Sequence, residues 1–312
     1  VEEAFKSAKA LNKPLFLYWG AIWCPPCNQM RKTVFSTELF QKEASHFVAV
    51  YLDGDKKEAQ IWGEKLKSFS YPTMLILDPN GKEISRLPTG LDSANYVKLM
   101  AQIRTNLKSI KELIAGAREG KLSESEWNML ASYSWSQDEE QNVSESELLD
   151  LFSQLAEKTS SQANLKSAHL RFFLMLLDQQ KSRDDFVLKE SDYQKLKALL
   201  QAPDSFYDNR EFFFYGFGDL LNKIRKKDEA KFIELSKIWL ASTSTLANKP
   251  NLSVDEKLLC NAPEIFLAKQ NKSVSKDLKG KLLRAVKAAD KEAKDAYSRQ
   301  SAMGTAIWLL TD

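Results

Sequence analysis

The sequence predicts an α/β domain over residues 1–108 followed by an all-helical domain over residues 109–312. Three observations carry this expectation. The apolar run Leu15-Phe16-Leu17-Tyr18-Trp19 reads as a strand, and Cys24-Pro25-Pro26-Cys27, a helix-opening segment, follows it directly. Asp78-Pro79-Asn80-Gly81 stands between two further apolar runs as a hairpin signal. Beyond residue 108 strand-like alternation almost vanishes, and apolar residues recur at helical spacing. A domain of the first kind uses about a hundred residues, which leaves roughly two hundred for at least one more.

Taken in order, a first helix over 2–11 precedes a strand over 14–20. The cysteine pair then opens a long helix carrying Met30, Val34 and Phe35. A strand over 47–52 ends in Asp53, and a helix over 56–69 follows. Tyr71-Pro72-Thr73 opens the strand 74–77. The hairpin returns through a strand over 83–87, and a closing helix covers 93–107.

Cys24 and Cys27 are two of only three cysteines, and their spacing after a strand and ahead of a helix is that of a dithiol/disulfide catalyst. A sulfur at the N-cap faces backbone N–H groups that have no partner inside the helix, together with the positive end of the dipole, so a Cys24 thiolate is stabilised there. One turn on, Cys27 lies on the same helical face, away from solvent, and can resolve a mixed disulfide. Pro25 and Pro26 suit the first turn because their fixed φ agrees with it. They also remove two backbone donors, so the Cys24 sulfur leans on the Cys27 N–H and the dipole. Half of a zinc site is the competing reading, but zinc wants four ligands, and only Cys260, His46 and His169 remain, scattered. Haem attachment requires a His directly after the second Cys, where this chain has Asn28. No metal site is expected, and no cofactor beyond a redox-active Cys24–Cys27 disulfide.

With these residues in view, residues 1–108 resemble a thioredoxin-fold domain, a central mixed sheet flanked by helices. The pattern Trp23-Cys24-x-x-Cys27-x-x-Met30, with Val34-Phe35 further on, is most similar to the thioredoxin-like domains of bacterial envelope disulfide-exchange proteins. The resemblance implies a cis bond into Pro72, facing the cysteine pair. It also implies that Tyr71, Pro72 and Thr73 form the wall where a substrate's extended backbone docks, alongside Trp23, whose ring serves equally well to pack the rim. The chain departs from cytosolic thioredoxin at two places: Tyr18 stands where that family commonly has a buried Asp, and Ala49 where it has a Lys. The proton acceptor for Cys27 is therefore missing or supplied by another group.

The remainder reads as seven to nine antiparallel helices in a bundle or an irregular helical repeat, without a fixed period. Ser123-x-x-Glu126, Ser144-x-x-Glu147 and Ser253-x-x-Glu256 match capping boxes. Leu148, Leu151, Phe152 and Leu155, then Leu278, Leu282, Leu283 and Val286, keep helical spacing. In the run Phe212-Phe213-Phe214-Tyr215-Gly216-Phe217, the spacing of Phe213, Phe217, Leu220 and Ile224 predicts core rather than an exposed binding face. Cys260, in an apolar stretch, is expected to be a buried small hydrophobe, and His46 and His169 to be structural or surface residues.

A net charge of +3 points to no nucleic acid, and the basic residues near the C-terminus interleave with acidic ones. No run reaches the eighteen or so apolar residues of a membrane span. The chain starts at Val1 rather than Met, and a removed secretory leader is the expected content of what precedes it. With the envelope-like motif, this favours a periplasmic or otherwise exported location, with the cytoplasm as the alternative. The expected function is an enzyme: thiol-disulfide exchange on protein thiols and disulfides, with a redox partner recharging the pair and homo-oligomers through the helical domain. The alternative is a helical interaction or oligomerisation protein with a redox-gated, thioredoxin-like adaptor.

Overall fold

The computed structural model describes residues 1–138, 142–249, 252, 254–270, 276–292, 299 and 302–307. Its N-terminal part runs α1 (Glu2–Leu11), β1 (Leu15–Gly20), α2 (Pro25–Met30), a π-helical turn (Arg31–Phe35), α3 (Glu38–Ala44), β2 (Val48–Asp53), α4 (Lys57–Lys65), β3 (Thr73–Leu77), β4 (Glu83–Leu87) and α5 (Ser93–Thr105). The sheet order is β2-β1-β3-β4. β1 pairs parallel with β2 and antiparallel with β3, which pairs antiparallel with β4. It is the mixed sheet flanked by helices that the sequence predicts.

β1 and β3 are buried along their whole length, so both faces must be covered, and the strand period of two assigns alternate residues to two cores. Phe16, Tyr18, Met74 and Ile76 belong to one cluster with Cys24 and Cys27. Leu15, Leu17, Trp19, Leu75 and Leu77 belong to the other, with Ala8 and Ala59.

Two helices differ from expectation. The long helix after the cysteines widens into the π turn and stops; Thr37 then caps α3, its hydroxyl accepting from the Phe40 N–H at 3.3 Å. The helix expected to reach residue 69 ends at Lys65. Lys67 adopts a left-handed φ of 48°, and the Leu66 and Lys67 carbonyls accept from Arg86 at 2.6 and 3.1 Å. A buried arginine thus takes the last carbonyls and turns the chain toward Pro72.

The chain divides into two compact units, Val1–Leu176 and Leu177–Asp312, whereas the sequence places its boundary at 108/109. The first unit takes in α6 (Ile110–Glu119), α7 (Glu124–Ala131), α8 (Glu145–Thr159) and most of α9 (Lys166–Gln180). The physical reason is a shared core: Ile110, Leu113, Trp127, Leu130, Phe152 and Phe172 lie in the same cluster as Phe16 and Cys27. Reciprocal capping boxes start α7 at Ser123/Glu126 and α8 at Ser144/Glu147, and a third, unforeseen, starts α6 at Ser109/Glu112.

The second unit holds α10 (Glu190–Gln201), α11 (Pro203–Asp208), a π-helical turn (Phe212–Gly216), α12 (Phe217–Arg225), α13 (Glu229–Leu246), α14 (Val254–Leu259), α15 (Ala262–Gln270) and α16 (Lys276–Glu292). Phe213, Phe217, Leu220 and Ile224 are buried, so the aromatic run builds core; only Tyr215 turns outward, 58% exposed. Beyond residue 108 the described residues hold eleven α-helices up to residue 292 and a further helical stretch over 302–307, more than the seven to nine expected. Pro203 and the π turn cut apolar stretches whose periodicity alone reads as continuous. Leu283, expected on an apolar face, is exposed. Ser253 lies outside the described residues, and so does its capping box. Among the described residues no helix is long and apolar enough to cross a membrane.

Candidate active site

β1 delivers the chain to Gly20, and the loop that follows is fastened before the helix begins. The Cys24 N–H donates to the Ala21 carbonyl at 3.4 Å. Buried Asn28 donates its amide to the Ile22 carbonyl at 2.7 Å. Cys24 is the N-cap of α2 with extended backbone, Pro25 and Pro26 fill the first turn, and the Cys27 N–H donates to the Cys24 Sγ at 3.3 Å. With the prolines unable to donate, this bond and the helix dipole are what the sulfur receives.

Cys24 and Cys27 form a disulfide with Cα atoms 5.2 Å apart, inside the usual span for such a bond. Cys27 is wholly buried, while Cys24 retains 3% exposure at the edge. Ile22 and Trp23, both about half exposed, flank it.

The Tyr71–Pro72 bond is cis, and the segment that carries it is tied down from two sides. The Tyr71 ring meets the Trp23 ring edge-on at 5.7 Å and tilts against Trp19 at 4.4 Å. Its hydroxyl accepts from Gln60 at 2.7 Å and donates to the Gly54 carbonyl at 3.3 Å. Trp23 is anchored in turn by its indole N–H, which donates to Asp55 at 2.8 Å. Buried Thr73 donates to the Ser70 carbonyl at 2.7 Å. From the other side, the Gln137 amide donates to the Pro72 carbonyl at 2.9 Å, and the Gln137 carbonyl accepts from Arg86 at 2.9 Å.

Tyr18 lies in the same cluster as the disulfide. Its register partner Tyr51 stacks on it at 5.5 Å. Burial pushes the Tyr18 phenol up to about 12, with the nearby Arg31 guanidinium pulling weakly the other way. The Arg31 guanidinium donates to the Tyr51 hydroxyl at 2.7 Å.

Residues 1–104 match the family model described as a thioredoxin-like domain. This part of the chain is a thioredoxin-like domain. Three solved structures show what it is similar to. A thioredoxin from Thermus thermophilus is 25% identical, the match covering 33% of this chain and 82% of that one, with a TM-score of 0.31. A DsbH oxidoreductase is 22% identical over 34% of this chain and 80% of its own, also at 0.31. The C-terminal domain of DsbD from Neisseria meningitidis, in its reduced form, is 17% identical over 32% and 91%, at 0.29. No curated protein matches the chain.

Within the thioredoxin-like domain, the structure brings together Trp23, Cys24, Cys27 and Tyr71, and places Pro72 and Thr73 at the head of β3. Sequence reasoning missed Asn28, Asp55, Gln60, Arg86 and Gln137. A sequence signal exists for Asp55, because Asp53-Gly54-Asp55 is a loop at the end of a strand that runs beside the cysteine-bearing one. None exists for Gln137, which reaches Pro72 across 65 residues. Of the remaining candidates, His46 is exposed, and His169 sits by the Ala156 carbonyl at 2.9 Å and the Thr159 hydroxyl at 3.3 Å, a structural role. Cys260 is a buried free thiol.

Proposed function

We propose that the chain exchanges thiols and disulfides with other proteins through Cys24 and Cys27. The observation that carries this reading is the pair itself: one sulfur at a helix N-cap with marginal exposure, its mate one turn on and sealed from solvent. In the reducing direction the Cys24 thiolate attacks a substrate disulfide, forming a Cys24–substrate disulfide and releasing one substrate thiolate, which takes up a proton. Cys27 then attacks Cys24, closing the internal disulfide and releasing the second substrate sulfur. The reverse sequence oxidises a dithiol, and a separate redox partner resets the pair in either case.

Tyr71, Pro72 and Thr73, with Trp23, form the docking wall in this reading. A periplasmic location completes it, supported by the likeness of the Trp23–Met30 motif to envelope disulfide-exchange domains. The core shared by α6, α7 and α8 with the sheet supports a redox domain enlarged by helices, and the alternative, a helical interaction module, falls to the second unit.

The test is to remove the resolving thiol. Cys27→Ala, incubated with disulfide-bonded proteins such as insulin, is expected to accumulate a covalent complex that a small dithiol dissolves and that Cys24→Ser abolishes. Failure to trap any disulfide protein would overturn the reading.

A further inference from the structure

Resolution by Cys27 requires a thiolate at a sulfur with no exposure, and burial in apolar surroundings opposes that charge. The carboxylate that usually stands nearby in thioredoxins is replaced by Tyr18. Two observations bear on what Tyr18 does there. Its hydroxyl is buried with no acceptor for its proton, on a residue only 5% exposed, and the nearby Arg31 guanidinium can only donate to it. Native proteins seldom leave a buried hydroxyl unpaired without reason. The second observation is Gly20: a Cβ there would stand 2.7 Å from the Tyr18 Oη and 3.2 Å from the Cys27 Sγ. The hydroxyl and the sulfur therefore both crowd the one place a Gly20 side chain would take, and only a glycine admits the phenol there.

We infer that Tyr18 is the hydrogen-bond donor that stabilises the Cys27 thiolate, reaching it across the side-chain-free face of Gly20. In the disulfide form Cys27 Sγ is bonded to Cys24 and needs no donor, so the phenol proton waits without an acceptor. Once that bond is broken the sulfurs must separate to van der Waals distance, and beside Gly20 the Cys27 sulfur has no side chain between it and the phenol.

The charged and titratable groups around the phenol fit a donor rather than a base. On β2 it faces Tyr51, itself pushed up by burial and by Asp53 and Asp55; from the π turn it faces Arg31. With its own ionisation displaced to about 12, Tyr18 keeps its proton near neutrality and can only give a hydrogen bond. The step balances without a protein base. Cys27 loses its proton as its sulfur bonds to Cys24 Sγ, the Cys24–substrate bond breaks, and the departing substrate sulfur ends as the thiol carrying a proton.

This inference rests on the exchange reading but is tested separately from it. The reduced protein is loaded at Cys24 with an aromatic disulfide reagent, and release of the second aromatic thiol reports attack by Cys27 in one turnover, whatever the natural substrate. Tyr18→Phe is expected to slow that release about tenfold near neutral pH and to move its pH profile upward by about one unit, the value of a hydrogen bond to a charged group. A merely structural hydroxyl predicts the opposite signature, since deleting an unpaired buried polar atom leaves stability equal or higher and the release rate unchanged. An unchanged rate and profile, or slowing equal at every pH, would overturn the inference. Failure of the Cys27→Ala trap with proteins would instead count against the exchange reading alone.

Discussion

Cys24 and Cys260 carry the same side chain at opposite ends of two short helices. Cys24 caps the N-terminus of α2, where an N–H group points at its sulfur and the dipole favours negative charge. Cys260 directly follows α14, its own N–H donating back to the Glu256 carbonyl at 3.0 Å, among the helix's last carbonyls. Burial, seconded by the Glu256 charge, pushes its thiol up to about 12. The two thiols thus differ in what meets the sulfur, a backbone N–H at Cys24 and burial beside a carboxylate at Cys260. The surroundings follow suit: Cys24 stands beside Trp23 and a fastened cis-proline segment, while Cys260 is packed as an ordinary small apolar group.

The most disruptive way to probe the contrast is to unfasten the cis-proline segment. Arg86 is wholly buried, donates to the Leu66, Lys67 and Gln137 carbonyls, and pairs with Glu83 at 2.8 Å. Arg86→Leu strips these partners at once and leaves the Glu83 carboxylate uncompensated. It is expected to cost about 3–5 kcal/mol, read as a lowered urea midpoint. A loss below about 1 kcal/mol, the worth of a single ordinary hydrogen bond, would show that the hub does not hold the segment.

A smaller change sharpens the electrostatic half of the comparison. Pro26→Ala returns a backbone N–H to the first turn of α2 without altering the helix position. If the sulfur of Cys24 is starved of donors by the two prolines, the new donor stabilises its thiolate. The equilibrium with glutathione then shifts toward the reduced protein about five- to tenfold, the worth of roughly one hydrogen bond. No shift would mean that the dipole and the Cys27 N–H already saturate the sulfur.

The parts legible in the sequence are those encoded locally. Cys24-Pro25-Pro26-Cys27 specifies its own N-cap, Tyr71-Pro72-Thr73 its own strand entry, and the Ser/Glu pairs their own helix starts. β4 and α1 take the bounds that their patterns predict. What was illegible depends on partners distant in the chain. The early end of α4 is set by Arg86, about twenty residues on. The extent of the first compact unit is set by which apolar faces meet, and helical periodicity names a face without naming its partner. The π turns leave the apolar spacing almost intact, so nothing in that spacing marks them. Tyr18 was visible as a departure at a position that usually bears a carboxylate. Only the fold brings its hydroxyl and the Cys27 sulfur to the same face of Gly20.

The comparison is tested most directly by alkylating the reduced, folded protein near neutral pH and following each cysteine by mass spectrometry. The account predicts that Cys24 is modified first and fastest, while Cys260 stays unmodified until the chain unfolds. Equal rates at Cys24 and Cys260, or modification of Cys260 ahead of Cys24, would contradict it.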